Sequence, residues 1–175
     1  MIKPYPILTY PEKFLQKPVS EVQNIDGKLQ EIIGRMSATM YAAPGVGLAA
    51  IQVGVNLKML VYDIAPRDEE HELHVLINPR IVESDGTTIS EEEGCLSVPD
   101  FRADVKRADR IHITGFDEKE NQLDFDAEGF HAIVLQHEID HLNGRLFIDR
   151  ISSLKRRLYK RKIQKQLRQD DDPIA

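Results

Sequence analysis

An α+β fold in a single domain is what this sequence predicts, and three observations predict it. Two segments carry apolar residues at helical spacing. Between them lie short runs of strand formers punctuated by turn residues. The length, 175 residues with 41% apolar, suits one domain with one real core. The expected architecture has short, mainly antiparallel strands around a central helix at about 128–142. The first helix packs outside them, and a C-terminal helix follows.

Taken in order, residues 4–22 hold Pro4, Pro6, Pro11 and Pro18 and read as an extended arm wrapping the body. A helix follows. Asp26 is a candidate N-cap, and Leu29, Ile32, Ile33, Met36 and Met40 form one stripe that Pro44-Gly45 ends. Residues 57–64 and 74–82 are apolar, strand-forming runs, and the charged stretch 67–72 between them reads as a loop. Asp85-Gly86 marks a turn. In 110–116, Ile111, Ile113 and Gly115 fall on one side of a strand. The second helix, about 128–142, has Asp126 as a candidate cap and Asn143-Gly144 as its stop. Its stripe is Phe130, Ile133, Val134, His137 and His141, expected to face inward. A third helix starts near Ser153, with two thinner apolar rows, Leu154/Leu158 and Tyr159/Ile163/Leu167.

Charge divides the chain. The net is −6, but residues 1–154 carry 15 basic and 26 acidic groups, a net of −11. Residues 155–168 hold eight basic groups and no acid, and 155–175 come to +5 even with Asp170, Asp171 and Asp172. The expected organisation is an acidic catalytic body, 1–154, with a basic C-terminal helix and acidic tip, 155–175, as an extension. No apolar stretch approaches the roughly 20 residues of a membrane span. The N-terminus shows no secretory signal, so the reading is cytoplasmic, without membrane or DNA partners. Cys95 is the only cysteine, which excludes an internal disulfide framework.

The segment that carries chemistry is Gln136-His137-Glu138-Ile139-Asp140-His141. Residues four apart on a helix share a face, so His137 and His141 can reach one metal ion. Glu138 can then stand beside a water on that ion as general base. Two core histidines would be the bland reading, but buried imidazoles need partners. A catalytic site of this type has three protein ligands and an open position. Asp149 and Asp170–Asp172 are the downstream candidates for the third; Cys95, in Glu91-Glu92-Glu93-Gly94-Cys95-Leu96-Ser97, is the upstream one. Three acids beside a thiol disfavour its thiolate, whereas a bound dication deprotonates it outright. With His137 and His141 in view, ligation is the better reading of Cys95. Gly45–Gly54 holds three glycines and lacks the pattern of a phosphate loop. Alone it reads as a tight turn into a small-residue strand.

Gly45–Gln52, Glu93–Ser97 and Gln136–His141, in that order, resemble the three signature motifs of the peptide deformylases: G-x-G-L-A-A-x-Q, E-G-C-L-S and Q-H-E-x-D-H. The resemblance spans about residues 5–150. It implies removal of the N-formyl group from the initiator methionine of new polypeptides, releasing formate. It implies one divalent ion, Fe2+ by family habit with Zn2+, Ni2+ or Co2+ possible, on Cys95, His137 and His141. Glu138 is implied as the base, with the Gln52 amide and the Leu96 backbone N–H stabilising the oxyanion. Gly45, Gly47, Glu93, Gly94, Arg102 and Ile133 are the implied substrate contacts, Glu93 at the entrance of a methionine pocket and Ile133 on its wall. Asp140, turned away from the metal by helical phase, is expected to hold the helix. The implied partners are N-formylmethionyl nascent chains, and the ribosome through the basic helix. A zinc peptidase would instead require a downstream third ligand, and a structural-metal adaptor four protein ligands.

Overall fold

The computed structural model describes residues 2–66 and 68–170. The elements run α1 (Gly27–Ala42), β1 (Gly47–Ala49), β2 (Met59–Tyr62), β3 (His74–Asp85), β4 (Thr88–Cys95), β5 (Val98–Arg107), β6 (Arg110–Phe116), β7 (Gln122–Glu128), α2 (Gly129–Leu142) and α3 (Ser153–Asp170). Five strands form one antiparallel sheet in the order β1-β2-β3-β6-β7, and β4 and β5 form a separate two-stranded sheet. The α+β expectation holds, including the C-terminal helix.

Strand β2 explains how the sheet is covered. Its residues are all buried and alternate between two helices. Leu60 and Tyr62 join the cluster around Ala132, Leu135, Ile139 and Leu142 of α2. Met59 and Val61 join the cluster around Leu29, Ile33, Met36 and Met40 of α1. A strand packed on both faces reads as an unbroken apolar run, which is why 57–64 was visible as one. Each large side chain buried this way contributes about 1.5–3 kcal/mol. Asp26 caps α1 as expected, its carboxylate accepting from Leu29 N–H at 2.9 Å.

Several expectations need correction. Asp126 does not cap α2: it lies in β7 and its carboxylate meets His112 Nδ1 at 2.8 Å. The helix starts at Gly129, where φ is +55°, without a side-chain cap. The Asp85-Gly86 turn exists, with Gly86 at φ +67°, but makes no hairpin. β3 pairs with β6, and the turn carries the chain from one sheet to the other. Strands β4, β5 and β7 lack a continuous apolar run: three consecutive acids interrupt β4, and charged residues recur at alternate positions along β5 and β7. In β4 the acidic run Glu91-Glu92-Glu93 imitates a loop.

The stripe on α2 is divided: Val134, His137 and His141 are buried as expected, and Phe130 is not. Phe130 is 58% exposed, and it lines an open cleft with Ile133, Val134 and His137. The core takes the opposite face, Ala132, Leu135, Ile139 and Leu142, together with Val134 of the stripe. A helix threaded through the middle of a domain is enclosed on most sides, so one stripe cannot define its core face.

A third cluster ties the C-terminus down. Tyr159 of α3 is 2% exposed and packs with Val98, Ala103, Val105, Leu146, Phe147 and Ile148. Its ring lies 4.6 Å from Phe101 and 5.7 Å from Tyr10. Of the two expected rows on α3, the one through Tyr159 and Ile163 packs; Leu154 and Leu158 remain 60% and 57% exposed. The boundary expected at 154/155 therefore cuts through packed structure. Arg67 and Asp171–Asp172, the latter part of the expected acidic tip, lie outside the described residues.

Candidate active site and metal centre

Three separated segments converge at the base of the cleft. Cys95 closes β4; His137 and His141 project from one face of α2; Gln52 sits in the 3-10 turn Ala50–Val53 after β1. Cys95 Sγ is 3.2 Å from His141 Nε2, which is 3.3 Å from His137 Nε2. The three donor atoms lie within 4.8 Å of one another. Among the described residues this is the one cluster of at least three such groups close enough to hold an ion. His71, His74, His112 and His131 take no part in it.

The donor chemistry fits a divalent ion. Burial and the neighbouring His137 charge push the His141 imidazole well below its usual pKa, which favours the neutral form that a metal ligand needs. His137 moves the opposite way. Burial would lower it, but the Cys95 charge and the Cys95 and Glu93 contacts outweigh burial and raise it well above 6.5. A thiolate between two imidazoles attracts positive charge, whether a proton or a cation. A soft thiolate with two imidazoles suits iron, zinc, nickel or cobalt.

Glu138 lies beside this cluster, 4% exposed, and its Oε2 has no hydrogen-bond partner. Burial raises its pKa to about 7; the His137 charge opposes the shift and Glu93 adds to it. Gly47 makes the room. A Cβ there would lie 2.6 Å from Glu138 Oε1. Gly45 does the same for Leu96, whose Cδ1 would meet an added Cβ at 2.9 Å. Both glycines of the first motif thus permit close approach of backbone to side chain.

Gln52 is buried, not a surface amide. Its Oε1 accepts from Ala49 N–H at 2.8 Å, so Nε2 is the end presented to the site. Nε2 lies 3.1 Å from Ser97 Oγ and 3.6 Å from Cys95 Sγ. Ser97 N–H also points at Cys95 Sγ, at 3.4 Å. The N-terminal arm secures both segments: Leu8 N–H donates to Gln52 O, and Tyr10 N–H to Ser97 O. Leu96 occupies the turn between β4 and β5, next to Cys95.

The sequence reading gave Arg107 no role beyond the resemblance, yet it organises the support. Its buried guanidinium donates to Glu93 Oε1 at 2.5 Å and to Asp140 Oδ2 at 2.7 Å. Glu93 Oε1 also accepts from His137 Nδ1 at 2.6 Å, which leaves His137 Nε2 for the ion. Glu93, expected at the mouth of a methionine pocket, has its carboxylate turned inward on this pair. Burial alone would raise its pKa, but His137 and Arg107 hold it at about 2. Asp140 faces away from the donor cluster as its phase predicts and is also gripped by Arg150, at 2.5 Å. A signal for Arg107 was present: Ala103, Val105 and Arg107 alternate inward along β5.

The cleft itself is about 910 Å³. Gly45, Gly47, Gln52, Glu93, Gly94, Cys95, Leu96, Arg102, Ile133, His137 and Glu138 all line it, with fully buried His141 beneath. Asp149, a candidate downstream ligand, instead accepts from Leu146 N–H. Among the described residues the donor set has three members.

The family description "Polypeptide deformylase" matches residues 4–157. A peptide deformylase of Desulfosudis oleivorans is 54% identical over 93% of this chain and 94% of its own. The crystal structure of a Legionella pneumophila peptide deformylase is 42% identical, with a TM-score of 0.86 over 96% of this chain and 98% of that one. An Acinetobacter baumannii peptide deformylase solved with Met-Ala-Ser bound is 32% identical, with a TM-score of 0.81 over 86% and 100%. Motifs, fold and relatives coincide over nearly the whole length, and the chain belongs to the polypeptide deformylases, a family of metal-dependent hydrolases.

Proposed function

We propose that the Cys95–His137–His141 cluster and Glu138 remove the N-formyl group from the N-terminal methionine of new polypeptides, releasing formate. The observation that carries this reading is the buried, unpartnered Glu138 carboxylate beside three metal-type donors at the base of an open cleft. Cys95, His137 and His141 would hold the ion, which when bound would polarise a carbonyl and make water acidic near neutral pH. Glu138 takes the proton from the attacking water and returns it to the departing amine. Burial raises its pKa, which suits a group that must do both. The Gln52 side-chain amide and Leu96 N–H receive the negative charge that develops on the formyl oxygen. Each such donor contributes about 2.7–4 kcal/mol in other enzymes. The apolar face of Leu96, Ile133, Val134 and Phe130 takes the methionine side chain; that a relative from Acinetobacter baumannii was solved with Met-Ala-Ser bound supports a peptide of this kind as the ligand. Gly45, Gly47 and Gly94 keep the cleft open to the peptide backbone, which Arg102 can meet at the rim. Glu93 acts through His137 and not on the peptide.

Formate release from formyl-Met-Ala-Ser by the metal-loaded protein tests this reading. Internal cleavage of the peptide, or no turnover with any divalent metal, would overturn it. Ferrous iron is the proposed resident ion, consistent with the family habit and the thiolate-imidazole set. Metal analysis after anaerobic purification checks it; a stoichiometric content of zinc without iron would refute it.

The proposed setting is the cytoplasm, at the ribosome. Among the described residues no helix is long and apolar enough to cross a membrane. The eight cations of 155–168 supply salt-dependent attraction for ribosomal RNA. Deleting 155–175 would also remove Tyr159 from the core, so replacing exposed Arg157, Arg161, Lys162 and Lys165 by Gln is the cleaner test. Ribosome co-sedimentation should weaken, and unchanged sedimentation would remove the arm from the function.

A further inference from the structure

The hydroxyl of Ser97 is a buried polar group to which the deformylation chemistry gives no part. Ser97 is 0% exposed, sits in the turn between β4 and β5, and does not line the cleft, so it cannot touch a substrate there. Its Oγ serves one side chain of the site: it accepts from Gln52 Nε2 at 3.1 Å. The backbones of both residues are already fixed by the N-terminal arm. Leu8 N–H donates to Gln52 O at 2.7 Å, and Tyr10 N–H to Ser97 O at 2.8 Å. Ser97 N–H adds a contact to Cys95 Sγ at 3.4 Å. What the arm leaves open is the aim of the Gln52 amide, because the last torsion of a glutamine is broad on its own.

A side-chain amide is planar, with one acceptor oxygen and two N–H donors. Gln52 Oε1 is held by Ala49 N–H at 2.8 Å, and Ser97 Oγ takes one of the two N–H bonds. Those two fixed points set the plane of the amide, and covalent geometry then sets the direction of the second N–H. That second N–H is the one left for the cleft, which Gln52 lines, where Nε2 stands 3.6 Å from Cys95 Sγ. A donor aimed in advance needs no reorganisation when charge develops. We infer that Ser97 is a positioning residue of the oxyanion site: its hydroxyl orients the Gln52 amide so that the free N–H meets the formyl oxygen as it becomes negative. The inference rests on the deformylase reading and adds a residue to it. An interaction felt only as charge develops acts on kcat and leaves KM nearly unchanged. A misaimed donor loses part of what a missing donor loses. Ser97→Ala should therefore lower kcat about tenfold, against about 10²- to 10³-fold for Gln52→Ala.

The experiment is a double-mutant cycle on the full, metal-loaded chain with formyl-Met-Ala-Ser. kcat, KM and metal content are measured for the unaltered protein, Ser97→Ala, Gln52→Ala and the two combined. Alanine keeps the Ser97 backbone N–H, so one ion per chain should remain in every variant. The expected result is a combined variant no slower than Gln52→Ala alone, because Ser97 then has nothing left to position. Losses that multiply overturn the inference, since Ser97 would then act outside Gln52. An unchanged kcat in Ser97→Ala overturns it too, as does a loss seen only in KM or accompanied by loss of the ion. A second measurement needs no variant and no turnover: hydrogen exchange of the assigned Gln52 side-chain N–H signals in the zinc-loaded, unaltered chain. Slow exchange is expected, and exchange at the rate of a free glutamine side chain overturns the inference. If the unaltered chain releases no formate, the deformylase reading fails, and the role of Ser97 fails with it.

Discussion

A carboxylate enclosed against Gly47 with one oxygen unpartnered can relieve its desolvation in two ways: it can take a proton, or it can face a positive centre. Glu138 is placed for both, which is what a general base beside a metal requires. Glu138→Ala should keep one metal ion per chain, because the three donors are untouched. Its turnover of formyl-Met-Ala-Ser should fall about 10²- to 10⁴-fold. Metal content and kcat measured on one sample check this, and substantial residual activity would remove Glu138 as the base. Arg107 is the second decisive residue. Replacing it by Met would strand Glu93 and Asp140 as buried carboxylates without their common cation. Breaking a buried pair from one side costs about 3–5 kcal/mol. Urea unfolding should show that loss; a change under about 1 kcal/mol would mean the network relaxes without Arg107. The histidines and Glu138 were legible because their spacing is local, and Cys95 because it is the one thiol in the chain. Arg107 was not: its partners lie 14 and 33 residues away in sequence.

At the scale of elements, two close approaches deserve testing. β1 passes against α2 through Gly47, so Gly47→Ala must displace either the strand or Glu138. Turnover should drop while metal binding persists, and kcat together with metal titration would show it. α3 is anchored by Tyr159, whose buried hydroxyl has no partner. Tyr159→Phe should therefore be neutral or stabilising, since an unsatisfied buried hydroxyl is a cost. Tyr159→Ala should lose about 3–5 kcal/mol of ring burial. Thermal unfolding of the two variants separates these; a destabilised Phe variant would mean the hydroxyl does have a partner. Helices α1 and α2 could be read from apolar spacing because α1 rests one face on the sheet and α2 ends in Asn143-Gly144. Strands β4 and β5 could not, because they form a sheet of their own in which register shifts break the alternation and the buried positions include polar Ser90, Glu93 and Arg107.

For the whole molecule, the ion network links the second sheet to the central helix, and that link titrates. Burial would raise the Glu93 pKa from 4.5, but His137 and Arg107 lower it to about 2. A folded pKa below the unfolded one means the stability it contributes is present above about pH 4.5 and is lost as pH falls through about 2. Glu93→Gln should flatten the thermal-stability profile across that acid window. An unaltered slope would show that other carboxylates control acid unfolding.

The sequence by itself determined the chemistry: a cysteine, two histidines at helical spacing, a neighbouring glutamate and a glycine-rich turn, together with the division of charge between body and tail. These are properties of residue type and short-range spacing, which a chain carries before it folds. The tertiary structure alone decided which groups share a buried site. It turned Glu93 from the cleft mouth onto Arg107 and His137, set the Phe130 end of the α2 stripe in the cleft, and fastened the basic helix through Tyr159. Those outcomes depend on contacts between distant segments, where desolvation makes each buried charge seek a partner that local sequence does not name.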